Sequence, residues 1–62
     1  MKIEYDKLIY KRVELINNDG KLIQVVENDF LNISLLTNGF YYLNFYNNTA
    51  DKIISKKILI IH

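Results

Sequence analysis

Side chains able to do chemistry are scarce in this chain. The single histidine is His62, there is no cysteine, and the serines Ser34 and Ser55 have no nearby general base. Glu4 and Asp6 lie two residues apart and share a face if the segment is extended. A carboxylate pair alone is not an acid–base site, and the simpler reading is a solvated face. No His/Cys cluster and no Asp-rich loop offers metal-ligand spacing. The sequence therefore predicts a protein that is not an enzyme, with no catalytic residue, no metal site and no cofactor. Phe40, Tyr42 and Tyr46 suggest a base-stacking platform, but interleaved arginines are missing and the net charge is only +1. No nucleic acid is expected.

What remains is the segment "SKKILIIH" at residues 55–62, two lysines followed by four branched apolar residues and a histidine. In an extended strand Lys56 and Lys57 point to opposite faces, so they cannot form one bidentate anion site. Two readings compete. In one, Ile58–Ile61 is a central strand buried on both faces, with the lysines as gatekeeper charges beside an aggregation-prone run. In the other it is an edge strand whose free N–H and C=O groups accept a foreign chain, a known recognition mode. The second reading makes Lys57, Ile58, Leu59, Ile60, Ile61 and His62 the candidate partner-binding residues.

The elements that must position this segment read as strands. Leu8–Ile16 alternates, with Val13 and Leu15 on one face and Arg12 and Glu14 on the other. Asp19-Gly20 inside "NNDGK" is a hairpin signal, because Gly accepts positive φ and Asp tolerates it, and Leu22–Glu27 is the returning strand. Asn28 and Asp29 mark a break. Phe30–Leu36 reads as a short strand or extended segment, with Leu31, Ile33 and Leu35 on one face. After the "TNG" turn, Phe40–Tyr46 alternates Tyr41, Leu43 and Phe45 against Phe40, Tyr42, Asn44 and Tyr46. "NNTAD" at 47–51 is a third turn, and Lys52–Ile61 the last strand.

Sixty-two residues, half of them apolar, make one domain near the lower size limit for a core without staples. Proline is absent and no segment sustains a helical period. No stretch approaches the roughly 18 apolar residues that span a bilayer, so no direct membrane insertion is expected. Met-Lys followed by Glu4 and Asp6 does not read as a signal peptide. The expected architecture is a single β domain over 1–62: all-β, antiparallel and meander-like, a small Ig-like β-sandwich of short strands or a partly open barrel.

Read together, "VELINNDGKLIQVV", "LNISLLTNGFYYLNFYNN" and "ISKKILIIH" resemble the C-terminal sorting domain of type IX secretion, type A, found in Bacteroidota. Gly20 and Lys21 fit that family's hairpin. Ile33, Leu36, Gly39 and Tyr41 fit its Gly-x-Tyr element, and Lys57 with Ile58, Leu59 and Ile60 fits its terminal strand. The resemblance runs from about Val13 onward. Family members carry further strands upstream that are missing here, Asn38 stands where Ser or Pro is common, and the turn near 49–52 lacks Gly. The resemblance thus implies either an N-terminally truncated sorting module, the end of a larger cargo protein, or an incomplete sandwich that needs a partner.

It further implies docking to the outer-membrane translocon and its shuttle protein, removal by a cell-surface sortase, and a secreted or cell-surface destination reached through the periplasm and outer membrane. Gly20, Lys21, Gly39 and Tyr41 would maintain the fold in that case. The alternative from the residues themselves is a stand-alone small β-protein that binds or inhibits a protein partner.

Overall fold

In the computed structural model the chain is all-β. The structure describes residues 1–49 and 51–62, with Lys52 and Ile53 as backbone only, so Ala50 of the expected third turn lies outside the described residues. Four strands are formed: β1 (Arg12–Asn17), β2 (Leu22–Val25), β3 (Gly39–Tyr46) and β4 (Lys52–Ile60). They make one antiparallel sheet in the order β2-β1-β3-β4. Both hairpins were expected. The order is not a simple meander: residues 26–38 leave the β2 edge, pass over β1 and enter the sheet at β3, leaving β2 and β4 as the two edges.

The alternation read in the sequence decides the core. Val13 and Leu15 of β1, Tyr41, Leu43 and Phe45 of β3, and Ile60 of β4 are buried on one face. Two irregular segments supply the second layer that a sandwich draws from a second sheet. The N-terminal stretch brings Ile3, Tyr5 and Tyr10; the crossing segment brings Val26 and Leu31, with Ile33 and Leu36 packed against them. Tyr5 and Tyr10 both meet the Phe45 ring edge-on, at 5.8 and 5.5 Å between centroids.

Local chemistry explains where the strands stop. Lys7–Ile9 is a turn and not the start of a strand, because the Asp6 carboxylate accepts from the Leu8 N–H at 2.9 Å and the Asp6 carbonyl from the Tyr10 N–H at 2.9 Å. Phe30–Leu36 likewise forms no strand. Asn28 and Asp29 both take positive φ, 52° and 64°, and the Phe30 N–H closes on the Glu27 carbonyl at 2.9 Å. Two consecutive residues of this kind are the signature of a tight primed turn, and Asn and Asp tolerate that region best. Leu31 then faces the core while Leu35 is 92% exposed, so the expected shared face of Leu31, Ile33 and Leu35 breaks at the Ser34–Leu35 turn.

The first hairpin loop is organised by Asn17. Its side-chain oxygen accepts from the Asp19 and Lys21 N–H groups, both at 2.9 Å, and only Gly20 takes positive φ, +83°. The turn is therefore a three-residue loop with glycine at the left-handed position, and Asp19 is spared the strain. Asn47 repeats the device before β4, accepting from the Thr49 and Asp51 N–H groups at 3.0 and 3.1 Å.

Candidate partner-docking edge

β4 pairs with β3 alone, from Gly39↔Ile60 to Tyr46↔Lys52, with a bulge between Phe45 and Tyr46. On its other side alternate residues leave backbone N–H and C=O groups free of any strand, which is the feature a foreign chain can complete. The pairing register assigns the candidate residues to faces. Ile58 stands opposite Tyr41 and Ile60 opposite Gly39, both on the packed face. Ile60 is buried, at 3% exposure, and Ile58 half-buried, so these two hold the strand in place.

Lys57 and Leu59 stand opposite Tyr42 and Phe40 on the outer face. Leu59 is 52% exposed, and Ile61, just past the strand, 69%. The Lys57 ammonium lies 4.3 Å from the centre of the Phe40 ring, a cation–π contact that steers its stem across the outer face. Lys56 takes the opposite face, across from Leu43, as alternation requires.

His62 is engaged from within. Its ring Nε2 sits 2.6 Å from the Leu36 carbonyl, and its N–H donates to the Asn38 side chain at 3.0 Å. These bonds moor the end of the strand to the Leu36–Asn38 loop. The same loop is fixed from below by Tyr41, whose hydroxyl donates to the Thr37 carbonyl at 2.8 Å and meets the Thr37 hydroxyl at 3.1 Å. Gly39 has φ +148°, a region closed to residues with a Cβ, and this lets the loop turn directly into β3. Gly39 and Tyr41 thus position the β3 residues against which Ile60 and Ile58 pair.

Among the described residues no second layer covers the outer face of the sheet. Leu22 opposite Ile16, Ile16 opposite Tyr42, and Phe40 opposite Leu59 form an apolar row on it, with Phe40 and Leu22 about half exposed. Ser55 donates to the Asn44 side chain at 2.7 Å on the same face. At the far end the neighbouring Glu14 carboxylate, with help from burial, pushes the Tyr46 phenol pKa up.

Sequence reasoning missed a second cluster, formed by Tyr5, Lys7 and Asp29. Lys7 forms a salt bridge with Asp29, and this bond lowers the Asp29 pKa and raises that of Lys7. The Tyr5 hydroxyl is pushed up by burial first and by the Asp29 charge second. With Ile3 N–H donating to the Asp29 carbonyl and Leu31 N–H to the Met1 carbonyl, both at 2.7 Å, the cluster straps the N-terminal stretch to the crossing segment. It joins elements more than twenty residues apart, so no local sequence signal could reveal it. Among the described residues no three His, Cys, Asp or Glu side chains converge on one point. No protein family, no curated protein and no solved structure matches the chain.

Proposed function

We propose that this chain is a non-catalytic recognition module that docks through the free edge of β4, and that it serves as the address passing a cargo protein across an outer membrane by type IX secretion. One observation carries the docking part: β4 is an edge strand held from one face by Ile58 and Ile60 while Leu59 and Ile61 remain exposed on the way to solvent. An edge so presented is a template for strand addition. The resemblance of the Gly20-Lys21 hairpin, the Gly39-x-Tyr41 element and the Lys57–Ile60 strand to the sorting domains supports the secretion part. Translocon and shuttle protein are the partners in this reading, with a sortase acting afterwards at the cell surface.

The test fuses the 62 residues to a fluorescent protein bearing an inner-membrane export signal, in a Bacteroidota host. The wild-type fusion reaches the cell surface, whereas the L59D/I61D fusion accumulates in the periplasm. Both substitutions fall on exposed side chains, and circular dichroism of the purified module verifies that the fold survives. Unchanged surface delivery of L59D/I61D contradicts docking through this edge. Retention of the wild-type fusion contradicts the secretion role.

A further inference from the structure

The two edges of the sheet are built differently. β2 is four residues long, and the crossing segment is fastened to it: the Gln24 amide donates to the Asn32 carbonyl at 2.9 Å and accepts from the Asn32 N–H at 3.2 Å. A short edge pinned in this way offers little to a foreign strand. β4 is nine residues long and carries Lys56 and Lys57 near its middle, both exposed. Among the described residues the ion pairs are Lys7–Asp29 and Arg12–Glu14, so neither Lys56 nor Lys57 has a carboxylate partner there.

That arrangement disfavours a second copy of the chain as the occupant. Antiparallel self-pairing of β4 over its full length places Lys56 against its own counterpart and each Lys57 one residue away. Like charges directly opposite in a ladder are destabilising. β4 against β2 of another copy overlaps only four residues and meets no acid in Leu22–Val25. The edge is open, yet its charges select against the chain's own strands.

We infer, resting on the docking reading of β4, that its occupant is an extended segment of another protein carrying two consecutive acidic residues. Consecutive residues of a strand point to opposite faces, so such a pair meets both lysines at once: one acid faces Lys57 on the outer face, the other Lys56 on the packed face. In antiparallel register the two residues preceding the acids lie opposite Leu59 and Ile58. β-Branched apolar residues suit those places, because Leu59 and Phe40 provide exposed apolar surface beside them. The incoming strand reads apolar-apolar-acidic-acidic from its N-terminus.

The test titrates the intact chain, followed by amide chemical shifts, with a blocked Thr-Val-Ile-Glu-Glu-Thr peptide and its Thr-Val-Ile-Lys-Lys-Thr counterpart. The acidic peptide binds about tenfold tighter, from two favourable cross-strand pairs replaced by two repulsive ones. Its shifts fall on β4, and added salt weakens it. K56E/K57E reverses the preference. Equal affinity for the two peptides, no binding of either, or shifts confined to β2 overturns the inference. If charge preference is absent while the L59D/I61D fusion still fails to reach the surface, the acidic occupant falls and docking through β4 stands.

Discussion

Replacing Leu31 by Ala probes whether the crossing segment truly serves as the second layer of the core. Leu31 is fully buried, although it belongs to no strand and sits on a segment with few regular hydrogen bonds. The change removes about three methylene equivalents, worth roughly 2.4 kcal/mol in transfer alone at about 0.8 kcal/mol each. The cavity left behind adds to this, giving about 3–4 kcal/mol. A domain of this length has a total stability of about 3–9 kcal/mol, so L31A loses a third of it or more. At about 4–8 °C per kcal/mol, its melting temperature drops by well over 10 °C.

L35A is the control. Leu35 lies four residues on and is 92% exposed, and its truncation changes stability by less than about 0.5 kcal/mol. Urea unfolding followed by far-ultraviolet circular dichroism gives both values. Equal losses for the two variants refute the two-layer description and restore the extended strand in which both leucines share a face.

Further expectations concern the clamp, the turns and the phenols. The lowered Asp29 pKa means that its pairing stabilises the fold above the unfolded carboxylate value of 3.8, an effect lost as pH falls through the folded value. The raised Lys7 pKa means that its contribution is present below 10.5 and lost as pH rises through its folded value. D29N, which keeps a residue tolerant of positive φ, therefore unfolds at lower urea than wild type near neutrality, and the two curves converge in strong acid. G39A destabilises by about 1–3 kcal/mol, through backbone strain alone, since beyond its chain neighbours no atom lies within 4 Å of the added Cβ. Y41F costs about 1 kcal/mol by releasing the Thr37 carbonyl, read from the urea midpoint. E14Q moves the Tyr46 ionisation back toward the ordinary phenol value in an ultraviolet titration, because the carboxylate charge that disfavours the phenolate is gone.

Much of the sheet was legible because its determinants are local. Alternation of Val13 with Leu15, and of Tyr41 with Leu43 and Phe45, set which face is buried, and Gly20 and Gly39 marked turns that need positive φ. Two elements were misread, again for local reasons. The Asp6 carboxylate and carbonyl capture N–H groups that a strand would have used, and the Asn28–Asp29 turn reverses the chain before Phe30 can extend. Strand order was not legible. The strap between Met1–Ile3 and Asp29–Leu31, which helps hold the crossing segment over the sheet, joins residues nearly thirty apart.

The candidate edge was legible in part. Apolar and basic composition pointed to residues 57–62, but their division into anchors and exposed positions needed the register with β3. The inward engagement of His62 with Leu36 and Asn38 had no sequence signal at all.

Residue-resolved amide hydrogen exchange across Lys52–Ile60 tests the free edge most directly. In the isolated chain alternate β4 amides exchange fast while their neighbours, bonded to β3, are protected, and saturating acidic peptide slows the fast set without altering β2. Uniform protection along β4 before any peptide is added, or new protection at Leu22–Val25 only, contradicts the account.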